Sequence, residues 1–265
     1  MTNPMLAMPP LEKKLRESPL ERVLAAVAFS PVLKINDASG AGVAPFQDQV
    51  RSVYPEVVLE HDEGVQFEAD GDGKMLPPKF VDTPVWRLYD SRRAWQLSLT
   101  AQSVSLESLS DYRGRDDLVE RLLFVCEALF GAYAPSEVTK VGFRYFNVFA
   151  SKKLGRLHEL VKPEALGFGA PGLSRNLLFS QSLGLYKTDE GMLAIKSGIL
   201  GIGMVHEFRL EPATEKSWIL DLDAWRDLEI AFDRGSLISY SRALTDRICS
   251  TFRWIVTDEF IGEHS

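Results

Sequence analysis

The sequence is poor in cysteine and has no excess of basic residues. Only two of its 265 residues are cysteines, Cys126 and Cys249, whereas a disulfide-stabilised fold needs more cysteines and shorter loops. Its 30 Lys and Arg residues face 37 Asp and Glu, which gives a net charge of −7. Nucleic-acid binders usually carry a basic excess, because neutralising phosphates supplies most of their affinity. The composition therefore disfavours both a disulfide scaffold and a strongly electrostatic nucleic-acid binder.

Long apolar runs are missing as well. The longest is Val23–Phe29, far short of the roughly 20 residues that cross a bilayer. Residues 1–10 contain neither the apolar core nor the cleavage motif of a signal peptide. We therefore expect a cytoplasmic protein with no membrane contact, in which both cysteines are reduced and packed as small apolar residues.

Signatures of metal, cofactor and catalytic sites are also lacking. None of the four histidines has a second His or Cys at metal-ligand spacing. Gly167–Gly172 matches G-x-G-x-x-G in letters, but a helix pattern precedes it and a strand pattern follows, the reverse of a dinucleotide site. Asp70–Gly73 resembles the start of a calcium loop, yet Val81 stands where the loop needs Glu. We predict no catalytic residues, no metal and no cofactor.

What the sequence does contain is an internal echo. Trp95, Leu97 and Leu99 recur as Trp218, Leu220 and Leu222 at an offset of 123, and Cys126 recurs as Cys249 at the same offset. Arg87-Leu88 recurs as Arg209-Leu210 at 122. This echo predicts an internal duplication.

Hydrophobic periodicity predicts the secondary structure. Predicted helices cover 46–53, 115–130, 154–161 and 236–260; predicted strands cover 23–29, 57–60, 65–68, 85–89, 95–99, 103–107, 141–149, 177–186, 192–199, 205–210 and 218–222. An Asp/Gly turn at His61–Gly64 is expected to close a hairpin, and Gly131 to end the second helix. Ser236 is expected to cap the last helix.

Each half then consists of a strand, a helix, about four strands and a long helix. We predict an α+β fold with a lead-in at 1–19 and halves at 20–134 and 135–265, packed as one unit. The helices are expected on one side of an antiparallel sheet, since a sheet with one apolar face must bury it. This order resembles the layout of TATA-binding-protein-like and other helix-on-sheet folds, which implies nothing about function.

One strand combines polar and aromatic side chains. In Phe143–Asn147, Arg144 shares a face with Phe146, while Tyr145 and Asn147 occupy the other. Such faces stack nucleobases in some RNA-binding sheets. Alternatively, Arg144 belongs to a central strand and pairs with a carboxylate at the helix–sheet junction. The same two interpretations apply to Arg87 and Arg209, so the candidate ligand- or partner-binding residues are Arg87, Arg144, Tyr145, Asn147 and Arg209.

Several short motifs resemble a known family. They are Pro19-Leu20-Glu21-Arg22-Val23, Phe29-Ser30-Pro31-Val32, Phe46-Gln47, Tyr54-Pro55, Pro84-Val85-Trp86-Arg87, Arg144-Tyr145-Phe146-Asn147, Phe252 and Thr257-Asp258-Glu259. With them the chain resembles a sporadically distributed family of bacterial proteins of about this length with no assigned function. Ala25 and Ala26 depart from the pattern, where acidic or bulkier residues are expected. The resemblance implies an accessory gene, such as one in a defence cluster, and supplies no catalytic residues.

Three functions follow as hypotheses. The first is a non-enzymatic binding or assembly module of a bacterial accessory system, such as one for anti-phage defence. Its expected partner is another protein or a second copy of this chain. The alternative is a nucleic-acid-binding or -processing protein that uses a local arginine and aromatic face. A second alternative is an enzyme with a cleft between the halves.

Overall fold

The computed structural model describes residues 3–10, 15–66, 79–206 and 212–265. Within these ranges the chain forms nine strands and seven α-helices. The strands are β1 Leu20–Phe29, β2 Glu56–Gln66, β3 Lys79–Tyr89, β4 Trp95–Leu99, β5 Ser103–Ser108, β6 Val138–Phe149, β7 Ser182–Lys187, β8 Met192–Leu200 and β9 Ser217–Ile230. The helices are α1 Ala44–Val50, α2 Arg115–Tyr133, α3 Ser151–Leu154, α4 Leu157–Leu160, α5 Pro163–Leu166, α6 Arg234–Ile255 and α7 Asp258–His264.

The strands form one antiparallel sheet in the order β2-β3-β4-β5-β1-β6-β9-β8-β7. The predicted α+β class is therefore confirmed. The two end strands of the sheet are β2, which pairs with β3, and β7, which pairs with β8.

The chain divides into two compact units. One unit comprises residues 26–139 and 229–232, and the other comprises 1–25, 140–228 and 233–265. The first strand, β1, contributes to both. We refer to them as the 26–139 unit and the 140–265 unit and describe each by itself.

In the 26–139 unit, the helices cover the face of the sheet that carries Trp95. Trp95, Leu97 and Leu99 alternate along β4 and are all fully buried. The guanidinium of Arg121, on α2, stacks over the Trp95 ring at 4.6 Å. The indole N–H of Trp86 donates to the Ile35 carbonyl at 2.9 Å, which fixes the turn before α1 to the same face.

In the 140–265 unit, the helices likewise cover one face. An aromatic chain leads from the sheet into the helices: Trp218 contacts Phe149 with ring centroids 5.1 Å apart, Phe149 contacts Phe260 at 5.5 Å, and Phe260 contacts Phe252 at 5.9 Å. Phe260 belongs to α7 and Phe252 to α6. The opposite face of the sheet carries Arg144, because side chains alternate along a strand.

The predicted hairpin at His61–Gly64 is wrong. These residues lie inside the continuous strand β2, where His61 faces Pro84 and Gly64 faces Val81 across the ladder with β3. Pairing along eleven residues outweighs the local turn preference of an Asp/Gly sequence. Asp62, which was predicted to lie in the turn, accepts a hydrogen bond from Arg87.

Helix boundaries also differ from the predictions. The second helix, α2, continues past Gly131 to Tyr133 and ends at Ala134, which has a φ of 45°. The cap of α6 is Asp233, not Ser236: the Asp233 carboxylate accepts the Ser236 N–H at 2.6 Å. The long helix predicted to Phe260 breaks at Val256, because Val256 bridges to Val161 and Thr257 caps α7.

The strands before α6 are also redistributed. The strand predicted from Leu177 begins at Ser182, and the one predicted at 218–222 extends over Ser217–Ile230. Val205 and His206 are not in a strand, and the rest of that predicted strand lies outside the described residues.

The sequence echo connects strands with different places in the sheet. Trp95 is in β4, between β3 and β5, whereas Trp218 is in β9, between β6 and β8. Strand β5 is the last strand before the long helix α2, and β9 is the last strand before the long helix α6. Counted back from these helices, β4 corresponds to β8, whereas the echo matches β4 to β9. The echo therefore marks similar core chemistry, and the internal duplication stays a prediction.

Candidate functional site

Arg87 is a buried anchor of the 26–139 unit. Strand pairing places it opposite Ser98 on β4 and next to two carboxylates of β2. Its Nε donates to Glu60 at 3.2 Å, its Nη2 to Asp62 at 2.8 Å, and its Nη1 to the Ser98 hydroxyl at 2.5 Å. The residue is only 3% exposed. Its donors are thus directed at acceptors from the two neighbouring strands.

Arg144 occupies a comparable position on the uncovered face of the 140–265 unit. Its Nε and Nη2 donate to the two carboxylate oxygens of Asp221, at 2.8 and 2.6 Å. Asp221 lies on the neighbouring strand β9 and its side chain is 1% exposed. The Lys196 ammonium and the His206 ring are 3.9 and 3.7 Å from the same carboxylate. The expected carboxylate partner thus comes from within the sheet and not from a helix–sheet junction.

Asp223 is the second carboxyl of this charged cluster. Its burial raises its pKa, and the nearby Asp221 charge acts in the same direction, while Arg144, Lys196 and Lys140 oppose the rise. Because it is largely buried, the Asp223 carboxyl favours the protonated form more than a solvent-exposed aspartate does.

Met204 and Ala213 help to cover Phe146, the aromatic neighbour of Arg144. Phe146 packs with Leu200 and Ile219, and Met204 and Ala213 lie against them. The His206 ring lies 4.9 Å from the Phe146 ring, and the Ala213 N–H donates to the Met204 carbonyl at 2.9 Å. Phe146 is 7% exposed, so its ring is not open for stacking on a base.

The other three candidate residues take different positions. Tyr145 and Asn147 are buried on the helix-covered face. The Asn147 amide donates to the Leu220 carbonyl at 3.1 Å, which links β6 to β9. Arg209 lies outside the described residues. Arg87 belongs to the 26–139 unit and Arg144 to the 140–265 unit.

A cleft of about 260 Å³ in the 140–265 unit has mixed charge. It is lined by Glu17, Lys152, Lys153, Arg156, Leu160, Glu263 and His264. Lys153 has only donors, so its 2.8 Å contact makes the His264 Nε2 an acceptor, and the Nδ1–H donates to the Phe260 carbonyl at 2.7 Å. Arg156 donates to Glu159, Glu259 and Glu263. These contacts tie α7 to the helices after β6.

Exposed apolar side chains concentrate around the end strand β7. Of the eleven large apolar side chains exposed in the described part of the chain, eight lie between residues 168 and 205. We define the β7-edge surface as Leu178, Phe179, Leu183, Leu185 and Ile202, which are 46% to 73% exposed. The Leu178 backbone carbonyl lies close to Gly201, the residue before Ile202.

Sequence reasoning did not identify this surface. The alternation of Leu183 and Leu185 with Ser182, Gly184 and Tyr186 predicts a strand, and the same alternation is seen whether the leucine face is covered or open. Leu183 and Leu185 are exposed because they lie on the end strand β7 and on the sheet face that the helices leave uncovered. Gly184 was the single local signal, since glycine weakens a strand interior.

The described residues contain neither a metal-binding cluster nor a helix able to span a membrane. Among them, no group of three or more His, Cys, Asp or Glu side chains is arranged to hold a metal ion. None of the helices in the described ranges has the length and apolar character needed to cross a membrane.

The Cys126 thiol is fully buried, which raises its pKa to about 12.

Comparison with known proteins adds no further constraint. No protein-family model matches the chain, and no curated protein matches it. The functional argument therefore rests on the geometry of the two units.

Proposed function

We propose that this protein is a non-enzymatic binding or assembly module that holds a protein partner on the β7-edge surface. The observation that carries the proposal is the concentration of exposed leucine and phenylalanine side chains at one end of the sheet. Contiguous exposed apolar patches on soluble proteins commonly mark interaction sites.

The backbone of β7 supports the same proposal. Among the strands of the described ranges, β7 is the last in the sheet, and none of them pairs with its outer side. A partner can add a strand there by main-chain hydrogen bonds, while Leu183 and Leu185 supply apolar contacts on alternate positions. The one charged residue in the strand is Lys187, so no row of charges opposes this addition.

The nucleic-acid alternative gains less support from the geometry. Both Arg87 and Arg144 donate to carboxylates, and the Phe146 ring beside Arg144 is buried. A guanidinium already bound to a carboxylate must give up that bond to contact a phosphate. The second alternative, an enzyme with a cleft between the halves, stays a prediction.

The experiment is a purification of the full-length protein from its native host, with a variant of the surface beside it. The Leu183→Thr/Leu185→Thr variant keeps residues that favour strands but removes the apolar side chains. We expect wild-type protein to retain a specific protein partner and the variant to bind it at least tenfold more weakly.

The matched control is Leu33→Thr, since Leu33 is 76% exposed and lies in the 26–139 unit. It should retain the partner as wild type does. A wild-type protein that retains no protein partner, or equal retention by the β7 variant, would overturn the proposal.

A further inference from the structure

The outward side of β7 can be assigned residue by residue. In an antiparallel ladder, directly opposed residues alternate between hydrogen-bonded and non-hydrogen-bonded pairs. Ser180 donates to the Ile199 carbonyl at 3.0 Å and Thr188 donates to the Gly191 carbonyl at 2.7 Å, one pair at each end of the β7–β8 ladder. The even-numbered residues of β7 therefore bond to β8, and the N–H and C=O groups of Leu183 and Leu185 point outward.

This assignment restricts how a second β7 strand can pair with the first. In an antiparallel pair across a twofold axis, outward-facing residues must meet outward-facing residues, so odd numbers meet odd numbers. Opposed residues also point to the same face of the sheet. Leucine side chains from both strands then fall on one face, the face that also carries Arg144.

One register uses all of the leucines. With Gly184 on the twofold axis, Leu183 of each copy faces Leu185 of the other. A shift by two residues in either direction leaves one leucine of each strand opposite Lys187 or Gln181. In the favoured register Lys187 faces the neutral Gln181, so no like charges meet.

The opposite end of the sheet does not allow such pairing. Strand β2 carries Glu56, Glu60 and Asp62 along its length. Two copies of β2 would bring several carboxylates together, which opposes association. Charge therefore distinguishes the two end strands, and only β7 is compatible with its own copy.

The available area sets the expected strength. A fully buried side chain of this size removes about 60–120 Å² of apolar surface from water at ~25 cal/mol per Å². In this register only Leu183 and Leu185 of each copy meet, so the pairing offers about 120–240 Å² per copy at most, against ~800 Å² per partner in a standard stable interface. Strand pairing on this patch fits a reversible dimer and not an obligate one.

We infer that β7 pairs antiparallel with β7 of a second copy of this chain, with Leu183 facing Leu185 across the twofold axis. The inference rests on the proposed function, because it names the partner of the same surface. The resulting dimer continues the sheet of one copy into that of the other.

The register is tested by mixed disulfide formation in the full-length protein. Leu183→Cys protein is mixed with Leu185→Cys protein under mild oxidation, and each is also oxidised alone. Opposed residues in a ladder have Cα atoms within the range that a disulfide spans, whereas residues shifted by one pair do not. We expect cross-linked dimer at least tenfold above background in the mixture, with either variant alone at the wild-type level.

Self-association itself is tested by sedimentation velocity across the micromolar range. Leu185→Pro removes an outward N–H but no bond to β8, so strand β7 is retained at the edge. This variant should weaken dimerisation more than tenfold with an unchanged circular dichroism spectrum. Leu33→Thr serves as the matched control and should dimerise as wild type.

The outcomes separate this inference from the proposed function. A wild-type monomer at every concentration, or equal cross-linking by each cysteine variant alone, overturns the β7–β7 pairing. If the Leu183→Thr/Leu185→Thr variant still loses a different protein partner in that case, the proposed function stands. If it loses none, both are overturned.

Discussion

At the scale of single residues, the buried Arg87 and the half-buried Arg144 show how a charged side chain becomes part of a sheet. Arg87 and Arg144 lie on the sheet faces that the helices leave uncovered, and each is bonded to carboxylates of neighbouring strands. A buried charge is tolerated when it is paired and its hydrogen-bonding groups are satisfied. Arg144 and Asp221 join strands that are 77 residues apart at this pair, whereas the Arg87 contacts join β3 to the strands directly before and after it in the chain.

Removal of one member of the Arg144–Asp221 pair should be costly. In Arg144→Met, the 1% exposed Asp221 side chain loses its bidentate partner. We expect a loss of about 3 kcal/mol in the free energy of unfolding, measured by urea titration. The exposed pair of Arg113 and Asp111 provides the control, and Arg113→Met should have little effect.

The double variant Arg144→Met/Asp221→Leu should recover most of that loss, since the Asp221 carboxylate is then no longer buried without its bidentate partner. An Arg144→Met variant no less stable than Arg113→Met would contradict this account.

Asp223 should make stability depend on pH. Burial raises its pKa in the folded protein, so this carboxyl favours folding fully at pH values below its unfolded pKa, and this contribution is lost as pH rises through the folded pKa. In Asp223→Asn, the penalty at neutral pH disappears. We expect a higher urea midpoint than wild type at pH 7 and a shrinking difference as pH falls to about 3.

Asp227→Asn is the matched control for this measurement. Asp227 lies on the same strand, 3.9 Å from Lys140, with a side chain that is 74% exposed. Its stability should follow wild type across the pH range, and an equal gain in both variants would argue against burial as the cause.

At the scale of elements, local signals fixed the interior of helices and strands better than their ends. The helix stripe that includes Leu118, Leu122 and Cys126 was predicted and is buried in α2. Asp233 caps the start of α6, and Thr257 caps the start of α7 after the break at Val256. Other polar residues lie near each of these positions in the sequence and could also serve as the cap. Several polar residues near a helix start are comparable as caps in sequence, and backbone geometry selects one.

Replacement of the cap should destabilise α6. In Asp233→Ala, the Ser236 N–H loses its acceptor, and we expect the melting temperature to fall by a few degrees. Ser236→Ala keeps that N–H and should have a much smaller effect. The Ser236 hydrogen bonds lower the pKa of Asp233, so the cap's contribution should be present at neutral pH and lost as pH falls through that pKa.

Thermal melts of both variants at neutral and acidic pH measure this difference. Equal destabilisation by Ser236→Ala and Asp233→Ala would assign the cap to the serine instead.

The β7–β8 ladder depends on the absence of a side chain at Gly198. A Cβ at this position would lie 1.9 Å from the Ser180 carbonyl oxygen, so Gly198→Ala must displace the segment that enters β7. We expect faster amide hydrogen exchange at residues 180–184 and a loss of stability of at least 1 kcal/mol. Gly155→Ala is the control, since nothing lies within 4 Å of its Cβ position. Unchanged exchange in Gly198→Ala would contradict the close approach.

At the scale of the whole molecule, the acidic balance disfavours binding to nucleic acid. The net charge is −7. Arg87 and Arg144, which suggested base stacking, both donate to carboxylates and so offer little positive charge to a phosphate. We therefore expect no salt-dependent association with single-stranded DNA or RNA in fluorescence anisotropy at low salt. A log affinity that falls linearly with log salt concentration would overturn this prediction and revive the alternative.

The sequence by itself determined the α+β class, the alternation that builds β4 and the amphipathic stripes of the long helices. These are local periodicities, and burying apolar surface enforces them in any arrangement of the strands. The sequence also placed Arg144 beside a carboxylate as one of two interpretations, because a strand arginine needs an anionic partner when buried.

Only the tertiary structure decided which strands meet. It turned His61–Gly64 from a turn into the middle of β2, and it separated Trp95 and Trp218 into strands of different position. It also placed β7 at the end of the sheet, where Leu183 and Leu185 are exposed. Strand order and edge position depend on contacts between residues distant in the chain, so no local pattern in the sequence records them.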